Sequence, residues 1–140
     1  MAENKFTGTI PEQLGLMADL TKFTLSDNKL TGTIPNIIAV LKDLEVLRLR
    51  GNKLTGTIPS DIGSLHKLKA LELESNKLTG KVPTEIGGLK SLKNMRVYEN
   101  SLTGTMPNEV CNLVNEEELL YLAADCGGGE VICECCHKCF

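Results

Sequence analysis

Asn52-Lys53-Leu54-Thr55-Gly56-Thr57-Ile58-Pro59 is a stretch that occurs five times along the chain, with few changes and at a fixed spacing of 24 residues. Its first residue recurs as Asn4, Asn28, Asn52, Asn76 and Asn100. All five prolines of the chain keep the same spacing, at Pro11, Pro35, Pro59, Pro83 and Pro107. A period of this length, held over most of a chain, is typical of a solenoid in which similar units stack. We therefore expect stacked coils and not a globule with one closed core.

A half-buried strand is predicted just before each copy of this stretch. Residues 44–52 read Leu-x-x-Leu-x-Leu-x-x-Asn, in which apolar and polar residues alternate as they do along a strand with one buried face. The same frame supplies the apolar residues of the neighbouring coils: Leu20, Phe23, Leu25, Leu68, Leu71, Leu73, Leu92, Met95 and Val97. Stacked in parallel about 4.8 Å apart, these strands would turn their apolar side chains inward and the residues between them into solvent.

The remaining residues of the unit suit turns. An asparagine side chain can bond backbone groups that would otherwise lack partners where the chain turns. Glycine supplies backbone freedom at the next corner, and proline, which has no N–H donor, suits a position outside a sheet. Residues 62–65 and 86–89 each read Ile-Gly-x-Leu, a segment too short for a long helix. We therefore expect a single helical turn on the outer side of each coil.

These residues resemble the plant-specific class of leucine-rich repeats, whose consensus is Leu-x-x-Leu-x-Leu-x-x-Asn-x-Leu-Thr-Gly-x-Ile-Pro-x-x-Ile-Gly-x-Leu. The match covers residues 4–115, and its frame and spacing agree in every copy. The resemblance implies an α/β fold: a right-handed solenoid with a parallel β-sheet on its concave face and short 3₁₀ or helical turns on its convex face. It also implies an extra short strand at the Leu-Thr-Gly segment. Members of this class mostly bind proteins, peptides or glycans, in receptor ectodomains or as secreted inhibitors.

Composition and charge exclude some classes of function. The chain has 140 residues and a net charge of −3, and its acids are concentrated in residues 109–140, where Lys138 is the single base. A weakly positive repeat body with an acidic end lacks the concentrated basic face of a nucleic-acid-binding protein. No apolar run reaches the roughly 18 residues of a membrane span. We expect one domain, with leucine-rich repeats of 24 residues in residues 1–110, and a last partial repeat and cysteine-rich C-terminal cap in residues 111–140.

The first residues enter the repeat in the middle of a unit. Residues 1–4 contain no charged leader, apolar segment or cleavage site of a secretory signal. Stacks of this kind usually begin with a polar capping unit. We therefore expect the sequence to be a fragment, a mature product or one part of a longer protein, with a neighbour that covers the uncapped N-terminal coil.

Two columns of outward-facing residues on the predicted sheet are candidates for partner binding. They contain Thr24, Arg48, Glu72 and Arg96, and beside these Ser26, Arg50, Glu74 and Tyr98. Opposite charges on neighbouring strands stabilise a sheet by roughly 0.2–1 kcal/mol per pair, so one interpretation is a solvated charge ladder. The other is that the three arginines and Tyr98 form a patch for a polar or anionic partner, because arginine and tyrosine are frequent at binding hot spots. Both interpretations can hold together.

Threonine pairs form a second periodic surface, with an interruption at Thr79/Lys81. The pairs are Thr7/Thr9, Thr31/Thr33, Thr55/Thr57 and Thr103/Thr105. Regular Thr-x-Thr columns resemble the surfaces of some ice-binding proteins, and a few leucine-rich-repeat proteins have that role. Threonine is also expected wherever short strands form, and Lys81 breaks the array. Ice binding is therefore a remote third candidate function.

The fifth coil departs from the repeat. The alignment with the preceding coil pairs Met95 with Leu120, Val97 with Leu122 and Asn100 with Asp125. It requires one inserted residue and predicts that residues 120–122 continue the sheet, with Asp125 in the asparagine position. After Cys126 the repeat gives way to three glycines at 127–129 and a dense group of cysteines. We interpret this end as a cap that closes the last coil.

All six cysteines lie in this end, at Cys111, Cys126, Cys133, Cys135, Cys136 and Cys139. Cys111 occupies the position of Gly63 and Gly87 in earlier coils, so it should face the cap from beneath. The four thiols and one histidine of residues 133–139 are ligands that zinc or copper accepts, but the usual pair of Cys-x-x-Cys motifs is absent. An even number of cysteines where a solenoid needs a staple favours three disulfides and an oxidising compartment.

The sequence leaves the disulfide connectivity open. Six cysteines allow fifteen pairings, and only the adjacent Cys135 and Cys136 are poor partners for each other on geometric grounds. The ending Cys-x-Cys-Cys-x-x-Cys-Phe resembles the tails of secreted algal leucine-rich-repeat proteins.

Catalytic motifs are missing from the sequence. Neither His66 nor His137 has a serine or cysteine nucleophile at a motif spacing, and phosphate-loop and kinase motifs are absent. Glu72 and Glu74 are expected on an open surface between arginines, which would keep them ionised and unsuited to act as general acids. We expect a non-catalytic, secreted or extracellular binding module that needs no cofactor or metal and recognises a protein, peptide or glycan through its concave sheet. The alternative is a structural end-fragment of a larger receptor ectodomain, or a scaffold subunit of an assembly.

Overall fold

A computed structural model describes residues 5–116, 118–126 and 131–140. Asn4 of the asparagine series and the glycine run at 127–129 lie outside the described residues. The chain forms a right-handed solenoid of the α/β class, as the repeat predicts. The strands of its parallel main sheet follow one another in chain order: Lys22–Thr24, Val46–Arg48, Ala70–Glu72, Asn94–Arg96, Tyr121–Ala124 and Lys138–Cys139.

The register of the main sheet confirms the predicted frame over its first four strands. Phe23 pairs with Leu47, Leu47 with Leu71, and Leu71 with Met95. Consecutive partners are 24 residues apart, so each coil adds a similar residue to the same interior line. Leu47, Leu71 and Met95 are fully buried within one continuous apolar core. The fold is therefore stabilised by burial between neighbouring coils.

Short 3₁₀ helices occupy the convex side, at Glu12–Leu16, Asn36–Val40, Ser60–Ser64 and Thr84–Gly88. A proline in an extended conformation precedes each of them, and its carbonyl accepts a hydrogen bond from the third helical residue, as that of Pro59 does from Ile62. Proline suits this position because its φ is already fixed near the helical value and its missing N–H has no helical partner to lose. The fifth coil instead contains an α-helix, Asn108–Asn115.

Two-residue strands pair beside the main sheet, as the family resemblance implies. They are Thr7–Gly8 with Lys29–Leu30, Thr79–Gly80 with Ser101–Leu102, and Gly104–Thr105 with Val131–Ile132. Gly56 lies on the same side of the solenoid with a φ of 77°, a conformation that L-residues with a side chain rarely adopt. A Cβ atom at Gly56 would also lie 2.9 Å from Cγ2 of Thr33. The repeat thus keeps threonine beside glycine because the threonine of one coil packs over the glycine of the next.

The asparagine of each coil joins neighbouring coils. Oδ1 of Asn52 accepts a hydrogen bond from the Leu30 N–H at 3.0 Å. Its amide nitrogen donates to backbone carbonyls of Leu25, Leu49 and Arg50, at 2.9, 2.9 and 3.2 Å. The corresponding bonds recur at Asn28, Asn76 and Asn100. Because an amide both donates and accepts, this one buried residue satisfies backbone groups of two coils at once.

The predicted alignment of the fifth coil is wrong by two residues. Leu122 pairs with Met95, so this coil is three residues longer than the others, and not one. The strand is Tyr121–Ala124, and not residues 120–122. The extra length lies on the convex side, where the α-helix has eight residues and the preceding 3₁₀ helix has five.

This register also changes the role predicted for Asp125. The residue corresponds to Tyr98 of the preceding coil and does not occupy the asparagine position. Its carboxylate accepts hydrogen bonds from the N–H groups of Glu99 and Asn100, at 2.7 and 3.0 Å. In the middle coils, backbone carbonyls accept the equivalent bonds, as those of Glu74 and Ser75 do. Asp125 therefore satisfies the turn with its side chain where the backbone of a regular coil would do so.

The cysteines form three disulfides in the C-terminal cap, Cys111–Cys135, Cys126–Cys139 and Cys133–Cys136. Cys111 projects from the α-helix to the cap, as its place in the glycine position predicts. Cys126–Cys139 ties the last strand of the main sheet to the end of the strand before it. Because all six thiols are used in disulfides, none remains as a thiolate ligand, and the zinc or copper interpretation receives no support.

Replacing Gly63 with alanine is expected to destabilise the protein by roughly 1–3 kcal/mol, the usual cost of overpacking. A Cβ atom at this position would lie 2.6 Å from the Glu85 Cβ and against the backbone of that residue in the next coil. Gly88→Ala is a matched control, because its Cβ would find its nearest neighbour, the Gly63 carbonyl oxygen, at 3.7 Å. Urea unfolding should show a lower midpoint for the first variant only, and equal losses for both would contradict this packing argument.

Candidate binding surface on the concave sheet

The structure places the six predicted partner-binding residues in two neighbouring columns on the solvent side of the main sheet. Arg48 pairs with Glu72, and Glu72 with Arg96, in direct register. Arg50, Glu74 and Tyr98 follow two residues later, just beyond the ends of these strands, and form the second column. Strand alternation alone positions them, because side chains two residues apart point to the same face.

The expectation that Glu72 and Glu74 lie open to solvent is wrong. Glu72 is 7% exposed and Glu74 is 2% exposed. The arginine side chains beside them remain accessible, with exposed fractions of 46% for Arg48 and Arg50 and 34% for Arg96. The long arginine stems fold over the shorter acids, as amphipathic side chains do when they cover a surface and keep their charged ends in water.

The ion pairs of this surface do not follow a simple ladder. Nε of Arg48 lies 3.0 Å from Oε1 of Glu72. Arg50 pairs at 3.0 Å with Asp27 at the edge of the sheet, and not with Glu74 beside it in the column. Glu74 has a cation only at the limit of an ion pair, with Nη1 of Arg96 at 3.9 Å from its Oε1.

These positions decide which charges a partner meets. The acids of the two columns are buried, while Arg48 and Arg50 are exposed and Arg96 is half-buried, so the columns themselves present bases to solvent. The exposed Asp27 at their edge offsets the charge of Arg50. A solvated ladder of equal rungs is therefore not what the structure shows. Exposed arginines held in place by buried acids are well suited to bind an anionic group.

Glu74 is an unusual carboxylate for a surface residue. Burial raises its pKa above the ordinary value, and the neighbouring Glu72 adds to the rise, while Arg96 and Arg50 oppose it. Within the described residues, neither of its carboxylate oxygens has a hydrogen-bond partner. Desolvation thus outweighs the attraction of the neighbouring arginines.

The variant Glu74→Gln is expected to be more stable than the wild type at neutral pH, by on the order of 1 kcal/mol, because it removes a buried carboxylate that has no hydrogen-bond partner and only a long ion pair with Arg96. Because the pKa of Glu74 is higher in the folded state than in the unfolded state, protonation of this group favours folding. This contribution is complete below the unfolded-state pKa and is lost as the pH rises through the folded-state pKa. The advantage of the variant should therefore be small at pH 4 and grow toward pH 7. Urea unfolding across this range, with the exposed Glu12→Gln as control, measures it; an advantage that is independent of pH would contradict the explanation.

Three further residues of this surface, Tyr121, Phe140 and Lys138, were not predicted from the sequence. The ring of Phe140 stacks on that of Tyr98, with centroids 3.9 Å apart and planes inclined by 16°. Tyr121 lies under the Arg96 guanidinium, whose carbon is 5.3 Å from the ring centroid. Lys138 adds a cation 4.3 Å from the centroid of Phe140. The small number of aromatic residues in the chain could have drawn attention to these rings. The contact of Phe140 with Tyr98, however, depends on a disulfide connectivity that the sequence does not determine.

The threonine columns lie exposed beside the main sheet, and their two members differ in chemistry. The hydroxyls of Thr31, Thr55 and Thr79 donate to carbonyls of the preceding coil at 3.3 Å. The methyl groups of Thr33 and Thr57 pack over glycines of the next coil. The array is thus built into the packing of the coils, and Lys81 interrupts it as predicted.

Within the part of the chain that the structure describes, no helix has the length and apolar character needed to cross a membrane.

Comparisons with known proteins support the repeat assignment. The leucine rich repeat family model matches residues 18–78 and 43–102, which together are more than half of the chain. A comparison with curated protein sequences gave no match. Among solved structures, a plant ice-binding protein superposes with a TM-score of 0.78 and 32% identity over 91% of this chain and 39% of its own.

Two receptor ectodomains from Arabidopsis thaliana are also similar. The receptor kinase SOBIR1 matches with a TM-score of 0.79 and 35% identity, over 91% of this chain and 66% of its own. The membrane receptor kinase GASSHO1/SCHENGEN3, in complex with Casparian strip integrity factor 2, matches with a TM-score of 0.81 and 31% identity, over 96% of this chain and 18% of its own. The chain thus spans about two fifths of the ice-binding protein and about a fifth of the longer receptor. With its 24-residue frame and parallel sheet, the chain belongs to the leucine-rich-repeat family and carries repeats of the plant type.

Proposed function

We propose that this chain is an extracellular binding module that recognises a protein, peptide or glycan partner through its concave sheet. The ectodomain fold of the family is a non-catalytic binding module, and the chain is not an enzyme. The observation that carries the proposal is the charge arrangement of the sheet, in which Arg48 and Arg50 are exposed and Arg96 is half-buried beside the buried Glu72 and Glu74. The partner that this arrangement fits is polar or anionic.

The similar receptor structures support a binding role. GASSHO1/SCHENGEN3 was solved in complex with a Casparian strip integrity factor, and the receptor kinase HAESA with the peptide hormone IDA and the co-receptor SERK1. These partners belong to those proteins. For this chain, the similarity favours recognition of a macromolecule by the repeats in residues 1–110, with residues 111–140 as the cap.

Three disulfides favour export of the protein. Disulfides persist in secreted and extracellular proteins and are rare in reducing compartments. The bonds Cys111–Cys135, Cys126–Cys139 and Cys133–Cys136 therefore support an extracellular location, and the similar structures include receptor ectodomains.

The test of the concave surface is neutralisation of its arginines. In a pull-down from the extracellular fraction of the source organism, the wild-type protein should capture its partner and R48Q/R50Q/R96Q should not. The control K29Q/K53Q/K77Q removes the same charge from three exposed lysines at equivalent positions of neighbouring coils, outside the main sheet, and should retain the partner. Arg48 and Arg96 pair with buried acids, so their replacement alone could unfold the protein. A further variant removes both members of each pair, R48Q/E72Q/R96Q/E74Q. Loss of the partner by this variant in its folded state would show that the arginines themselves are needed.

Retention of the partner by the arginine variants would favour the structural alternative. In that case the coils would be an end piece of a larger ectodomain or a scaffold subunit, and the concave sheet would bind nothing. Thermal unfolding of each variant accompanies the binding measurement, so that loss of fold and loss of binding are told apart.

Ice binding is the second candidate, because the exposed threonine columns coincide with similarity to a plant ice-binding protein. The measurement is thermal hysteresis and ice-crystal shaping by the wild type and by Lys81→Thr, which would complete the column. Increased activity in the variant would support this function, and Thr57→Lys should reduce it. Absence of ice shaping by both the wild type and Lys81→Thr would exclude it.

A further inference from the structure

Aromatic residues are scarce in this chain, and three of the five gather on one part of the concave face. The sequence has three phenylalanines, two tyrosines and no tryptophan. The buried core is built from leucine, isoleucine, valine and methionine with Ala124, and Phe23 is the one phenylalanine that packs against it in the described residues. Tyr98, Tyr121 and Phe140 instead lie together on the solvent side of the last strands of the main sheet. The core does not need these three rings, and they lie where they contact solvent, so they are available to a binding partner.

The position of Phe140 is fixed by the cap. The strand Lys138–Cys139 pairs in parallel with Tyr121–Ala124, and the Phe140 N–H donates to the Ala124 carbonyl at 3.1 Å. The neighbouring Cys139 is bonded to Cys126. The ring therefore stands rigidly against Tyr98, yet 42% of the residue remains exposed. A rigid exposed aromatic side chain loses little conformational entropy when a partner covers it.

Cations surround these rings, while the nearest acids are occupied. Arg96 lies over Tyr121, and Lys138 lies over Phe140. The carboxylate of Asp125 accepts two backbone hydrogen bonds, and Glu74 is buried. Glu99, next to Tyr98, is exposed, and its carboxylate accepts a hydrogen bond from the Ser75 hydroxyl. A partner approaching this end of the sheet therefore meets exposed aromatic faces within a positive field.

The strand Lys138–Cys139 also offers backbone groups. It is the outermost strand of the main sheet in the described residues, so the peptide groups on its outer side have no partner strand there. An extended peptide can add to such an edge through main-chain hydrogen bonds. A polysaccharide has no matching series of amide donors and carbonyl acceptors, and this difference favours a polypeptide.

We propose that Tyr98, Tyr121 and Phe140, with Arg96 and Lys138, form a subsite for an extended acidic polypeptide segment that carries an apolar side chain beside its carboxylates. This inference rests on the proposed function, since the subsite lies on the same concave sheet. The apolar side chain covers the exposed face of Phe140, and the carboxylates pair with Arg96 and Lys138. Aromatic residues and arginine carry much of the binding energy at protein interfaces.

The test is a selection of displayed random 12-residue peptides on the full-length oxidised protein. Peptides rich in aspartate and glutamate with an apolar residue should be enriched. Their affinity should fall about tenfold or more in Phe140→Ala, the loss typical of an interface hot spot, and several-fold with a weaker salt dependence in Lys138→Gln. Phe6→Ala, which removes another exposed phenylalanine, and Lys53→Gln are the matched controls and should bind as the wild type does.

The outcomes separate this inference from the proposed function. Enriched peptides without acids, or affinity unchanged in Phe140→Ala, would overturn the subsite. Preferential binding of polygalacturonate over the selected peptides would overturn the choice of a polypeptide. If R48Q/R50Q abolishes peptide binding while Phe140→Ala and Lys138→Gln leave it intact, the subsite fails and the concave sheet remains the binding face. If none of these variants affects binding, both proposals fail.

Discussion

Replacing Asn52 with alanine is expected to lower the free energy of unfolding by roughly 2–4 kcal/mol. The side chain accepts from the Leu30 N–H and donates to carbonyls of Leu25, Leu49 and Arg50. Alanine would leave the buried Leu30 N–H without a partner, which costs about 1–3 kcal/mol. The Leu25, Leu49 and Arg50 carbonyls would each keep another donor, from Asn28, Asn76 and Asp27, so the three lost donor bonds add only about 1 kcal/mol. The loss should appear as a lower urea midpoint and as faster hydrogen exchange of the Leu30 amide.

Two controls define this expectation. Asn112→Ala, on the exposed side of the helix Asn108–Asn115, should have little effect. Asn28→Ala should lower the free energy of unfolding less than Asn52→Ala does. The N–H group that donates to Asn28 Oδ1 belongs to Phe6, an exposed residue of the first described coil, and it can bond water instead. Equal losses at Asn28 and Asn52, or unchanged exchange at Leu30, would show that the asparagine column does not join the coils energetically.

The second large effect is expected from Cys111→Ala/Cys135→Ala, which should destabilise the cap by about 3 kcal/mol. The bond closes a loop of 24 residues, and the chain-entropy model gives a contribution of this size for such a loop. The same model gives about 2 kcal/mol for Cys133–Cys136, whose sequence separation is three. The stacked coils transmit stability only to neighbours, so the loss should be concentrated in the last coil.

Limited proteolysis and hydrogen exchange, followed by peptide mass analysis, measure this local effect. Peptides from residues 108–126 should become accessible first, while peptides around Leu47 and Leu71 keep their protection. Cys133→Ala/Cys136→Ala serves as the matched double substitution. A uniform loss of protection along the whole chain would contradict the neighbour-only coupling of a solenoid, and a larger effect of the shorter loop would contradict the entropy argument.

The repeated part of the fold was predictable because one pattern is written several times. The interior line through Phe23, Leu47, Leu71 and Met95 follows from the 24-residue frame, and each coil confirms the assignment of the next. The asparagine column follows from the same frame, since only a residue that donates and accepts can serve both sides of a turn.

The last coil was harder to predict because it occurs only once. Leu120 and Leu122 are two residues apart and would point to the same face of a strand, so the apolar pattern cannot distinguish the two registers. The choice is decided by the convex side, where an eight-residue helix takes up three additional residues. Nothing in the earlier coils indicates that length.

The candidate site was predicted in position but not in exposure. Strand alternation places Glu72 and Glu74 on the solvent face, yet the size and direction of the arginine side chains bury them, and a two-residue pattern does not encode those directions. The approach of Phe140 to Tyr98 depends on the Cys126–Cys139 bond, one of several pairings that the sequence allows.

The outermost strands of the main sheet in the described residues, Lys22–Thr24 and Lys138–Cys139, each begin with a lysine. When two molecules approach end to end, these like charges meet at the positions where their backbones would otherwise form hydrogen bonds. Lysine at such borders is a common means by which natural sheets avoid uncontrolled growth into fibres. The lysine at each of these borders therefore disfavours pairing with a second border of like charge, while an acidic segment can still approach it.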